Sequence, residues 1–225
     1  MLNHQPHSIE WRANTPFSTK FDDPYFSLYD GLSETEHVFL AGNHLPERYC
    51  DGFHIAELGF GTGLNLLVSL AAWRQSGQSG VLHYTSFEAF PLSPEQMIAA
   101  QEAFEPLQEL ARELAPLWGT SITLADLRFE LILGDARDTL PKWSGQADAW
   151  FLDGFSPAKN PELWEAGLMA EVAAHTKTGG SCATSASASV SRCWFSGWLK
   201  SVIVSLRMSL AFSGVMGGGA AAMVA

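Results

Sequence analysis

The sequence predicts an α/β protein built on a doubly wound parallel sheet. From His54 onward, apolar strand-like runs alternate with stretches of helical periodicity. The run in "ADAWFLDGF" is continuously apolar, as an interior parallel strand is when helices cover both faces of its sheet. Four of these runs also close on an acid or a glycine, where the carboxyl edge of such a sheet gathers its ligand-binding groups.

Residues 1–50 are expected to form an N-terminal hairpin or cap segment packed on the domain. They are rich in turn formers and aromatics, and "EHVFL" suggests a short strand or hairpin. The core is expected over 51–188. "HIAEL" predicts a buried strand, and Asn65 to Gln75 carries apolar residues at helical spacing. "LHYTSFEAF" predicts a second strand. Ser93 followed by Pro94 and Glu95 is a helix start, with breaks at Pro106 and Pro116. "RFELILGDA" and "ADAWFLDGF" predict the third and fourth strands. Pro161 opens a helix through His175, and "GGSCATSAS" gives a turn and a fifth strand.

The 225-residue chain, about half apolar, is long enough for one domain with its own core. A formal charge of −11 argues against broad electrostatic binding to a phosphate backbone, so any nucleic acid has to be held by a local basic patch. Cys50, Cys182 and Cys193 show no CxxC pattern and no His at ligand spacing. This predicts reduced thiols, no metal site and a cytoplasmic protein. The stretch after Arg207 has the length of a membrane span, but its glycines and serines argue against one.

Glu57, Gly59, Gly61 and Gly63 stand together in "ELGFGTG". A strand ending in alternating glycines lets the backbone turn sharply and approach a ligand, which then faces a helix N-terminus. The spacing is GxGxG, with Leu64 where a dinucleotide fingerprint has its third glycine. Glu57 adds negative charge where a pyrophosphate would bring more. A cofactor with a cationic amine and no phosphate suits it, and S-adenosylmethionine is such a cofactor. Glu88, closing the second strand, is placed to bind two ribose hydroxyls. Asp135 closes the third strand and can accept from an adenine amino group, with Ala136 offering its backbone; an Asx-turn or helix cap is a compatible reading. Asp153 is the strongest catalytic candidate, because an acid ending an apolar interior strand is costly unless used or paired. Lys159 and Asn160 add polar groups at the mouth, as substrate-binding candidates.

"AELGFGTGLN", "SFEAFPL" and above all "DAWFLDGFSPAKNPELW" resemble the methyltransferase domain of the MnmC-type tRNA 5-methylaminomethyl-2-thiouridine biosynthesis enzymes. The resemblance covers residues 7 to about 188 and implies a Rossmann-like class I S-adenosylmethionine-dependent methyltransferase fold. It also implies N-methylation of 5-aminomethyl-2-thiouridine at the tRNA wobble position. Asp153, in the family's catalytic motif, is expected to take a proton from the amine or to orient it. A flavin-dependent oxidoreductase domain or protein is the implied upstream partner. A class I methyltransferase acting on a small molecule or protein shares the glycine loop but gives no reason for "DGFSPAKNP". A nicotinamide-dependent oxidoreductase fits least.

From about residue 189 the chain departs from that family's pattern. "SRCWFSGWLKSVIVSLRMSLAFSGVMGGGAAAMVA" has no acidic residue and ends in glycines and alanines. The expectation is a reading-frame shift near residues 188–192. It implies incomplete C-terminal strands, and a weak enzyme or a remnant that only binds cofactor.

Overall fold

The computed structural model describes residues 9–13, 15–27 and 31–184 and the backbone of 203–204. Three short strands, β1 (Ile9–Arg12), β2 (Thr15–Ser18) and β3 (Asp23–Pro24), form an antiparallel meander. A second sheet holds β4 (His54–Leu58), β5 (Leu82–Glu88), β6 (Ser121–Thr123), β7 (Leu127–Leu133), β8 (Ala147–Leu152), β9 (Thr176–Thr184) and β10 (Ile203–Val204). Their order is β10-β9-β8-β4-β5-β7-β6, and every pair is parallel except β6 with β7.

The connections are helical: α1 (Gly31–Thr35), α2 (Leu64–Gln75), α3 (Pro94–Gln101), α4 (Gln108–Leu114), α5 (Ala136–Thr139) and α6 (Ala166–Ala174). Helix α3 begins as its sequence predicts. Ser93 Oγ accepts from the Gln96 amide, Gln96 Oε1 accepts from the Ser93 amide, and Pro94 occupies the first turn. Pro106 and Pro116 each sit in a 3-10 turn flanking α4, so the two breaks fall where proline forbids a continuous helix.

Strand β8 shows why the sheet is covered on both faces. Phe151 points into a cluster with Leu66, Leu67 and Leu70 of α2 and with Tyr84 and Phe129. Its neighbours Trp150 and Leu152 point into the other cluster, with Phe87, Leu140, Leu168 and Val172. Alternate residues thus serve opposite cores, which is why this strand reads as an unbroken apolar run.

Two local expectations are corrected. "EHVFL" is helical: Glu36–Leu40 forms a π-helical turn that continues α1 and passes into a 3-10 turn at Ala41–Asn43. The buried positions Gly31, Thr35, Val38, Phe39 and Gly42 recur at helical spacing, and that stripe packs on the sheet. The hairpin character of the N-terminal segment lies in 9–24 instead. Strand β6 is an addition; it pairs with β7 through Ile122↔Phe129. The expectations for the tail after residue 189 lie outside the described residues, apart from β10, which pairs with β9 at Ser181 and Cys182. Among the described residues no helix is long and apolar enough to cross a membrane.

Candidate active site

Strands β4, β5 and β7 progress one way across the sheet and β8 and β9 the other, so the order reverses between β4 and β8. In open α/β sheets the crevice outside the carboxyl ends at such a reversal is where ligands bind. Register brings the ends level: Leu58 pairs with Phe87 and with Leu152, and Glu88 pairs with Leu133. Four segments therefore emerge side by side at 59–63, 88–90, 134–136 and 153–160.

Gly59 makes that convergence close. It has φ +88°, and a Cβ there would lie 2.5 Å from the Asp153 carbonyl oxygen and 3.3 Å from Gly154 Cα. No other residue allows the two chain segments to pass so near. Beyond it, Gly61 and Gly63 also hold positive φ, and Gly63 caps the N-terminus of α2.

These segments open into a cavity of about 750 Å³, in the size range of small-molecule sites. Its walls come from the glycine loop, the loop after β8, α1 and the meander. Phe155 of the β8 loop packs against Phe21 and Tyr25, with ring centroids 4.7 and 5.2 Å apart. Asp23, Glu34, Glu88, Asp135, Asp153 and Glu162 line the cavity, and no Lys, Arg or His does so among the described residues. A wall of acids without a base suits a cationic ligand and repels a pyrophosphate. S-adenosylmethionine carries a sulfonium and an ammonium but no phosphate, so the donor set fits it.

The acids differ in state. Glu88 Oε2 accepts from the amides of Phe60 and Gly61 at 3.0 and 3.2 Å, and Oε1 accepts from Phe90 at 2.7 Å. Burial raises its pKa, and these amides oppose the rise. Asp135 caps α5 by accepting from the Arg137 amide, and its carboxylate pairs with the Arg137 guanidinium at 2.7 Å. That pairing holds its pKa below the usual value. The helix-cap reading of Asp135 is thus present, and any adenine contact has to share the carboxylate with Arg137. Ala136 is buried and contributes to the cavity wall. Asp153 is half-buried, and burial pushes its pKa up to about 7.

Glu57 sits deeper than the sequence suggests. It is 0% exposed and is not part of the cavity wall. Oε1 accepts from Asn65 Nδ2 at 2.8 Å and Oε2 from Ser86 Oγ at 2.8 Å, and burial raises its pKa well above the ordinary value. Glu57 faces Asn65, which itself lines the cavity. Lys159 is likewise displaced from the expected place. It is exposed, lies outside the cavity wall, and pairs with Asp22 at 3.3 Å. With Ser156 N donating to Asp23 Oδ2 at 3.2 Å, it ties the β8 loop to the meander. Asn160 does line the cavity, whereas Gly63 is not part of its wall. Asn65, Glu34 and Tyr25 are wall residues that the sequence reading passes over.

A doubly wound sheet with a glycine loop and an acid-lined cavity at its switch point defines the class I fold of S-adenosylmethionine-dependent methyltransferases. Residues 100–194 match a family described as S-adenosyl-L-methionine-dependent methyltransferase. The chain carries a methyltransferase domain of the MnmC type. It is 43% identical over 198 residues to a Vibrio cholerae protein named tRNA 5-methylaminomethyl-2-thiouridine biosynthesis bifunctional protein MnmC, covering 78% of this chain and 29% of that one. The protein of the same name from Hahella chejuensis is 42% identical over 191 residues, covering 78% of this chain and 30% of the other. Among solved structures, MNMC2 from Aquifex aeolicus superposes with a TM-score of 0.62 at 27% identity, covering 80% of this chain and 59% of that chain. The chain thus spans about three tenths of the length of these curated relatives.

Proposed function

We propose that this chain N-methylates 5-aminomethyl-2-thiouridine at the wobble position of tRNA, giving 5-methylaminomethyl-2-thiouridine, with S-adenosylmethionine as donor. The observation that carries this reading is the acid-lined, base-free cavity with Asp153 in its wall. Bound S-adenosylmethionine supplies an electrophilic methyl group on a positively charged sulfur. Glu88 is assigned to the ribose hydroxyls because it closes β5 in the cavity wall, with Oε2 already accepting from two amides and Oε1 from that of Phe90. The glycine loop gives the close backbone approach, and Asp135 with Ala136 borders the base. Glu57 supports this wall from beneath through Asn65.

The substrate's aminomethyl group is largely protonated at neutral pH and is inert as a nucleophile in that form. Asp153 accepts the ammonium proton at a carboxylate oxygen and keeps the nitrogen aimed. A carboxyl with a pKa raised to about 7 is a better proton acceptor than an ordinary aspartate. Glu34, from α1 in the same cavity wall, adds attraction for the incoming cation. Asn160 is assigned to the substrate side, and Lys159 to holding the loop that carries it. A flavin-dependent oxidoreductase acting upstream remains the partner class that would supply the free amine.

Methyl transfer from labelled S-adenosylmethionine to hypomodified tRNA tests this reading, with free amines and proteins as competing acceptors. Transfer confined to tRNA supports it. Transfer to small amines with indifference to tRNA would replace it with a small-molecule methyltransferase.

A further inference from the structure

Asn65 lies in the first turn of α2, 4% exposed, between two carboxylates from different strands. Its Nδ2 is 2.8 Å from Glu57 Oε1 and 2.6 Å from Asp153 Oδ2. An amide nitrogen has two protons, and both neighbours are acceptors, so the partners themselves fix which end of the amide faces them. Glu57 is in turn fixed by Ser86 of β5. A continuous chain of Ser86, Glu57, Asn65 and Asp153 therefore runs from β5 across β4 and α2 to the end of β8. Asp153 Oδ1 takes no hydrogen bond from any described residue, while the residue itself lines the cavity.

We propose that Asn65 is a positioning residue for methyl transfer: its amide, anchored on buried Glu57, holds Asp153 by Oδ2 and leaves Oδ1 for the substrate's ammonium group. This rests on the reading of Asp153 as the amine's proton acceptor. Without the clamp a half-buried aspartate loses both its fixed rotamer and its only donor among the described residues. A carboxylate that accepts a hydrogen bond is stabilised in its charged form, so the same bond keeps Asp153 ionisable despite burial. Other ionisable groups around it are Glu34 from α1, Glu57 from β4 and Tyr84 from β5. Glu34 opposes ionisation of Asp153, and the Asn65 bond counters it. Leucine fills the space of asparagine and donates nothing, and aspartate at the same position would set three carboxylates together.

The test is nuclear magnetic resonance on the full chain. The Asp153 carboxyl carbon and the Asn65 side-chain amide protons are followed against pH, with assignments from Asp153→Asn and Asn65→Leu. In the unsubstituted protein both signals should move with one shared midpoint. In Asn65→Leu the Asp153 midpoint should rise, S-adenosylmethionine affinity should stay within about threefold, and kcat for tRNA at pH 7 should fall on the order of tenfold or more. Raising the pH should recover part of that loss. Asn65 protons that ignore the Asp153 titration overturn the proposal, and that result needs no turnover. Failure of the functional reading looks different: Asp153→Asn would keep full turnover while the two signals remained coupled.

Discussion

Gly59 and Asp153 are packed backbone to backbone, so that a single added Cβ at Gly59 would come within 2.5 Å of the Asp153 carbonyl oxygen. This contact joins the glycine loop to the end of β8. It explains why a glycine beside β4 and an aspartate beyond β8 belong to one site although 94 positions separate them.

Gly59→Ala should therefore damage both halves of the site. An alanine at φ +88° is strained by about 1–2 kcal/mol, and the overlap with Asp153 adds to that. The expected outcome is a melting temperature lowered by several degrees and loss of calorimetric binding of S-adenosylmethionine. Binding at the original affinity would show that the two segments can separate without cost.

Activity and stability should run in opposite directions with pH. The Asp153 pKa is raised to about 7 from an ordinary value of 3.8. Between those values the folded state binds more protons than the unfolded state, so this group's contribution to stability declines as pH rises from about 4 to 7. Methyl transfer should rise through the same upper limit as the carboxylate forms. Asp153→Asn abolishes the ionisation penalty and should be more stable than the unsubstituted chain at pH 8, on the order of 1–3 kcal/mol. Denaturant unfolding at pH 5 and 8 measures this; an equal pH dependence in both proteins would contradict it.

Glu88→Ala should weaken S-adenosylmethionine binding by roughly ten- to a hundredfold, the worth of one or two hydrogen bonds to a charged acceptor. It also leaves the Phe60 and Gly61 amides without their partner. Titration calorimetry reads the affinity, and adenine binding alone should be affected less than adenosine binding.

Lys159→Ala should change stability by less than about 1 kcal/mol, because its ion pair with Asp22 is exposed on both sides. A larger loss would mean that the β8 loop depends on this one tie rather than on the Phe21, Tyr25 and Phe155 packing.

The sheet and the acids at its edge were legible in the sequence because apolar runs, glycines and prolines report local backbone demands. Each of the strands from β4 to β9 announces itself that way except β6, whose three residues are too short to carry a pattern. The helix around Val38 and Phe39 was hidden because three consecutive apolar residues serve a strand as well as a helix. Depth was not legible either. Glu57 and Asp153 look alike in the sequence, each at the end of an apolar strand, and only packing puts one beneath the wall and the other in it. Asn65 gave no signal at all, since an asparagine in a first helical turn is unremarkable until its two partners are seen.

Methyl transfer to hypomodified tRNA by the unsubstituted chain and by Asp153→Asn, with S-adenosylmethionine affinity measured on both, tests the central claim most directly. Turnover in the former, its loss by at least about a hundredfold in the latter, and cofactor affinity preserved in both is the predicted result. Unchanged turnover in Asp153→Asn, or none in either protein with cofactor bound, would contradict it.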